Sequence, residues 1–155
     1  MASALRDELR QRRPFETLEQ EAHLNVVRTA AVLTDALERV VKPAGLTLAQ
    51  FNALRILRGA EPGGLCRNEL RDRLVTRMPD VTRLLDRLEH AGLVVRERAD
   101  ADRRLVRTRI TAGGLALLAE VDPAVRAEHR RLLGHLEPDD LRALSDLLTR
   151  ARAPG

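Results

Sequence analysis

The chain has 155 residues, 27 basic and 23 acidic, and is 44% hydrophobic and 32% charged. That length suits one integrated domain with appended helices and a real core, and the hydrophobic share excludes a disordered chain. No apolar run approaches the ~20 residues of a membrane span, and the charged stretch Met1 to Arg13 has no apolar centre for a signal peptide. A soluble, reduced, cytoplasmic and mainly helical protein is expected. Cys66 is the only cysteine and therefore forms no internal disulfide or zinc cluster. His23, His90, His129 and His135 are never four apart, so no metal or other cofactor is expected. Without Trp or Tyr and with only two Phe, stacking on single-stranded nucleic acid is disfavoured.

The basic excess has a location. Between Gly64 and Ile110 stand 12 arginines against eight acidic residues, which accounts for the chain's whole net charge of +4. Concentrated in one central third, that excess suits a polyphosphate partner, although an excess of four also fits an ordinary solvated surface.

Glu16 to Val41 has helical period, with Ala22, Val26, Leu33, Leu37 and Val40 in one stripe and Leu24, Val27, Ala31 and Ala36 widening it. So broad an apolar face predicts packing against more than one surface. Lys42-Pro43-Ala44-Gly45 ends this helix. Thr47 with Gln50 reads as a capping box opening a second helix, whose core face is Leu48, Phe51, Leu54, Ile56 and Leu57. After the break Gly59 to Gly64, a short helix from Arg67 to Leu74 carries Glu69 in its first turn. A brief turn leads to Pro79 to Ala91, with Pro79 at the first helical position and Gly92 as the cap. Val81, Leu84, Leu85 and Leu88 point inward there, leaving Asp80, Thr82, Arg83, Asp86 and Arg87 outward. Two short helices joined by a turn form a helix-turn-helix.

Leu93 to Arg98 and Arg104 to Ile110 switch to period two around the polar turn Ala99 to Arg103, which predicts a β-hairpin, or wing. Thr111 opens a helix to Leu133 that Pro123 should kink or split, with Gly113-Gly114 loosening its start. Pro138, followed by Asp139 and Asp140, starts the last helix, which ends near Arg152.

This order resembles the multiple antibiotic resistance regulator (MarR) family of winged helix-turn-helix transcription factors over about Phe15 to Arg152. The resemblance rests on LTLAQFNALRIL (Leu46 to Leu57), MPDVTRLLDRLEHAGLVVRER (Met78 to Arg98) and DRRLVRTRITAGG (Asp102 to Gly114). It implies a mainly α fold with a small β-wing, and homodimers built from the first and last helices. It further implies double-stranded palindromic operators and a response to small phenolic ligands or oxidants. The chain then divides into 1–45 for an N-terminal arm and dimerisation helix, 46–111 for DNA and 112–155 for dimerisation. One departure matters: family recognition helices begin with Ser or Thr, and here Met78-Pro79-Asp80 stands instead. That shifts base reading toward Thr82 and Arg83.

Arg83 and Arg87, four apart, are the expected base readers, since a guanidinium bonds guanine bidentately. The competing reading pairs them with Asp86, Asp80 or Glu89 on a solvated face. Arg98, Arg103 and Arg104 flank the wing tip, where an arginine fits a minor groove. Asp102 is expected to brace Arg104 by a charge-assisted bond and leave Arg103 at the tip. Arg71, Arg73 and Arg77 are candidates for phosphate contacts, which position without reading sequence, and Asp80 belongs to the same surface.

Cys66 lies near the cap of the third helix, where a thiolate is favoured, so an oxidant sensor is one reading. The redox branch of the resembled family carries its cysteine in the first helix, however, and an ordinary capping cysteine is the stronger expectation. His23, Asn25 and Arg28 are candidates for a ligand cleft, with surface or dimer contacts as the alternative. No P-loop, nucleophile elbow or dinucleotide fingerprint suggests an enzyme. The other serious alternative is a helical dimerisation or adaptor protein that uses the winged fold without DNA.

Overall fold

The computed structural model describes residues 3–77 and 80–153. The described chain forms two compact units, the first ending at Ala36 and the second beginning at Leu37. In the first, helix α1 (Ala4–Glu8) precedes most of α2 (Leu18–Val41). Thr17 Oγ1 accepts from the Gln20 amide at 3.1 Å, so α2 starts two residues later than its period suggested. The expected stripe on α2 divides. Leu37 and Val40 pack against the core of the second unit, whereas Ala22 and Val26 are exposed.

In the second unit, a 3-10 turn (Lys42–Ala44) ends on Gly45, whose φ of 76° is the left-handed conformation glycine adopts freely. Helix α3 (Leu48–Gly59) has the expected capping box: the Gln50 amide donates to Thr47 Oγ1 at 3.1 Å, and the Thr47 amide to Gln50 Oε1 at 2.9 Å. Its residues Phe51, Leu54 and Leu57 are buried. Strand β1 (Leu65–Cys66) and helix α4 (Arg67–Arg73) follow, then α5 (Val81–His90). All four predicted inward residues of α5, Val81, Leu84, Leu85 and Leu88, are buried, each worth roughly 1.5–3 kcal/mol. The expectation that Pro79 opens this helix lies outside the described residues; the cap on α5 is Asp80.

Helix α5 ends in a Schellman turn. The Gly92 amide donates to the Glu89 carbonyl at 2.9 Å and the Leu93 amide to the Leu88 carbonyl at 3.0 Å, with Gly92 at φ 73°. Strands β2 (Val94–Arg98) and β3 (Val106–Ile110) pair antiparallel from Val94 opposite Ile110 to Arg98 opposite Val106. The wing is not only a hairpin. Strand β1 adds to its other side, Leu65 opposite Thr108, so the sheet order is β1-β3-β2. With two short helices, a turn and this sheet, the region is a winged helix-turn-helix.

Helices α6 (Ala112–Leu133) and α7 (Pro138–Arg152) complete the chain. Pro123 does not split α6, which runs unbroken across it. Pro123 and Ala119 are both exposed, so the carbonyl that the proline leaves unbonded faces water. Nor does Gly114 loosen the start of α6. It is buried there because the helix presses on the base of the hairpin, at Leu93 and the end of β3: an added Cβ would collide with the Leu93 carbonyl oxygen and lie 2.6 Å from Ile110 Cγ1. At Gly113 the nearest atom would be 3.5 Å away, an ordinary contact.

These two neighbours therefore separate packing from propensity. Gly114→Ala should lose about 1–3 kcal/mol by overpacking, more than the ~1 kcal/mol that alanine contributes to a helix. Gly113→Ala should be neutral or stabilising. Thermal denaturation checks both, and a Gly114→Ala variant melting at or above the native chain would contradict the close approach.

Candidate nucleic-acid interface

The outward face of α5 carries Thr82, Arg83, Asp86, Arg87 and His90, all exposed. Among the described residues neither Arg83 nor Arg87 pairs with a carboxylate, because the three acids that would compete are engaged elsewhere. Asp80 Oδ1 accepts from the Arg83 amide at 2.9 Å and so caps the helix. Asp86 and Glu89 both reach Arg96 on β2, at 2.7 and 2.8 Å. Thr82 Oγ1 accepts from Arg67 Nη1 at 3.2 Å. The cap thus leaves the two guanidiniums free, one turn apart on one exposed face.

In the wing, the Asp102 brace exists in a different form from the one expected. Asp102 Oδ1 accepts from the backbone amide of Arg104 at 2.9 Å, not from its guanidinium. The Leu105 amide also donates to the Asp102 carbonyl at 3.0 Å, closing the tip as a local turn. Removing the Arg104 side chain therefore leaves the brace intact, whereas removing that of Asp102 breaks it. Arg98, Arg103 and Arg104 are exposed. On α4 and the following turn, Arg71 lies 3.3 Å from the neighbouring Asp72, while Arg73 and Arg77 are exposed and, among the described residues, make no ion pair.

Among the described residues, three of the 12 arginines of this region, all on the strands, form ion pairs with other elements of the protein. Arg107 donates to the Gly64 carbonyl at 3.3 Å and lies 3.9 Å from Glu69; Arg109 meets Glu61 at 2.8 Å. With Arg96, these hold the sheet to its surroundings. Their partners lie up to 48 residues away, beyond the reach of a periodicity argument. What could have flagged them is the alternation of arginines on two paired strands. Apart from Arg71, the remaining arginines make no ion pair among the described residues, while most nearby acids bond within the protein. The excess of the region therefore lies on the exposed arginines of α4, α5 and the wing.

The carboxylates report the same sorting. Hydrogen bonds from Arg96 hold Glu89 below the usual carboxylate range and raise the Arg96 guanidinium further. The bond from the Cys66 amide, at 2.8 Å, lowers Glu69. Cys66 itself is half-buried, ends β1 and caps α4. With Arg67, Thr82, Arg96 and Arg104 it lines an open hollow between the helices and the wing. His23, Asn25 and Arg28 are exposed on α2 and do not line this hollow.

Comparison with known proteins agrees with this geometry. The MarR family model matches residues 44–105. A helix-turn-helix transcriptional repressor of Mycobacterium tuberculosis is 31% identical over 121 residues, covering 78% of this chain and 86% of that protein. A MarR transcription factor structure from Planctomyces limnophilus is 40% identical with a TM-score of 0.67, covering 88% of this chain and 98% of that one. A mutant MarR of E. coli, solved in complex with operator DNA, is 27% identical with a TM-score of 0.75, covering 97% and 100%.

The Glu89 bond to Arg96 fixes a pH dependence. A carboxylate lowered in the folded state adds stability above its ordinary value near 4.5, and that stability is lost as pH falls through the lower folded value. Glu89→Gln should therefore melt below the native chain at neutral pH, and the gap should close on acidification below about pH 4.5. A gap that is constant from neutral pH to acid would show that the ion pair is not its source.

Proposed function

The chain belongs to the MarR family, and from that premise we propose that it is a sequence-specific regulator of transcription. It binds double-stranded DNA as a homodimer on a palindromic operator and acts as a ligand-responsive repressor. The observation that carries this reading is the outward face of α5, where Arg83 and Arg87 stand unpaired among the described residues beside a wing with exposed Arg98, Arg103 and Arg104. A helix of this size fits the major groove, and Arg83 and Arg87 with Thr82 would meet base edges there. Arg71, Arg73 and Arg77 would meet phosphates, Arg103 the adjacent minor groove, and Asp80 and Asp102 would act through the caps they make.

Dimerisation is supported by apolar surface that one chain leaves uncovered. Leu18, Val26, Val27 and Val32 are exposed on α2, and Leu144 and Leu147 on α7, a helix with no buried residue. We accordingly assign 1–45 and 112–155 to the dimer and 46–111 to DNA. A C2 dimer presents two reading helices to the two halves of a palindrome. Sedimentation at micromolar concentration should give a dimer; a monomer would contradict this assignment.

Response to small ligands is typical of the family. For a phenolic effector, His23, Asn25 and Arg28 are exposed polar candidates on α2. A redox role for Cys66 has less support, since the residue is half-buried in a capping position. The relatives are transcription regulators, and we assign this chain no catalysis or cofactor. Among the described residues, no helix is long and apolar enough to cross a membrane, which accords with a cytoplasmic regulator. An adaptor that never meets DNA is disfavoured by the unpaired arginines of the α5 face.

Two sets of variants test the assignment of contacts. Arg83→Ala or Arg87→Ala should cut preference for the operator over random DNA by about 1–3 kcal/mol, whereas Arg73→Ala or Arg77→Ala should weaken both equally and flatten the salt slope. Equal behaviour of all four would mean that the reading face is misassigned. Arg103→Ala should weaken operator binding about tenfold or more, with stability within about 0.5 kcal/mol of the native chain. A titration that overlays the native protein would remove the wing from the DNA surface.

A further inference from the structure

Arg96 stands where the wing meets the reading helix. Strand β2 is an edge of the sheet, so its outward amides have no strand to bond. The outward Arg96 amide donates instead to Glu89 Oε2 at 3.1 Å. The side chain of Arg96 then returns to the same carboxylate, Nε to Oε2 at 3.1 Å and Nη2 to Oε1 at 2.8 Å. Nη2 also lies 2.7 Å from Asp86 Oδ1, one turn earlier on α5. One residue of the wing thereby grips the reading helix at two successive positions, using a planar fork that a lysine cannot reproduce.

We propose that Arg96 is a positioning residue: its bonds to Glu89 and Asp86 set the angle between α5 and the wing, so that both reach DNA together. This rests on the reading that α5 and the wing bind DNA. It carries a consequence with an unusual sign. Glu89 is a negative charge on the helix that would approach phosphate, so on charge alone its removal should tighten binding. As one jaw of the clamp, its removal should weaken binding, because a wing free to sample other angles must be ordered again on DNA. The loss should not exceed that from deleting the wing-tip contact itself.

The test titrates native protein, Glu89→Gln, Arg96→Lys and Arg96→Gln against a labelled duplex from upstream of the chain's own gene and a random duplex of equal length. Amide hydrogen exchange of the wing is measured without DNA. Glu89→Gln and Arg96→Lys should each weaken the upstream complex about 3–10-fold while leaving random-duplex binding unchanged or tighter. Both should speed exchange at the Arg96 amide, and the Glu89→Gln/Arg96→Gln double variant should lose no more than Arg96→Gln alone. Should Arg96→Gln fail to fold, the other two single variants carry the test. The proposal is overturned if Glu89→Gln binds the upstream duplex as tightly as the native chain or more so. It is equally overturned if Arg96→Lys behaves as native, or if Arg96→Gln merely lowers the salt slope by about one per protomer, the mark of a direct phosphate contact. A native chain with no preference for the upstream duplex would refute the DNA reading instead, and the exchange rates would still decide the clamp.

Discussion

The architecture depends on the junction where α5, the wing and α6 meet. Helix α5 closes on Gly92, whose carbonyl accepts from Thr111 Oγ1 at 2.7 Å, while the Thr111 amide donates to the Leu93 carbonyl at 3.0 Å. The same hydroxyl accepts from the Gly114 amide at 3.1 Å and so caps α6. One threonine therefore joins the base of the hairpin, the end of α5 and the start of α6. Gly114 is required because no side chain fits between α6 and the Leu93 carbonyl. The backbone of three elements is fixed before any surface arginine contributes.

Charge is then distributed over this frame with a division of labour. Half-buried arginines on the strands, Arg96, Arg107 and Arg109, spend their donors on carboxylates and carbonyls of neighbouring elements. Exposed ones on α5 and the wing tip keep theirs. Ion pairs at such partly solvated positions contribute little stability one by one, so their value lies in fixing geometry. Farther along, Arg58 on α3 meets Asp122 on α6 at 2.6 Å, a tie between those two helices.

Much of this was legible from local rules. The Thr47–Gln50 box, the inward four of α5, the Gly92 turn, the hairpin and the Pro138 start each depend on residues within a few positions of one another. What escaped depends on distant partners. Strand β1 is two residues long, has no period of its own, and exists only because β3 offers an edge. Gly114 resembled a loosening element because the carbonyl it approaches lies 21 residues earlier in the chain, at Leu93. Asp102 braces the wing tip as charge and spacing suggest, but through the backbone amide of Arg104, which charge pairing does not reveal. Asp80, expected on the DNA-facing surface, stands one residue before α5 and caps it. Arg96, Arg107 and Arg109 escaped because their partners lie on other elements, at Asp86 and Glu89, at Gly64 and Glu69, and at Glu61.

The central claim is that the arginine face of α4, α5 and the wing reads duplex DNA. Fluorescence anisotropy of the native chain on the duplex upstream of its own gene, against a random duplex, measures that directly when repeated at several salt concentrations. A sequence-reading dimer should prefer the upstream duplex by about a thousandfold or more and lose roughly a thousandfold in affinity between 50 and 200 mM salt. Equal affinity for both duplexes, or binding that does not respond to salt, would contradict it.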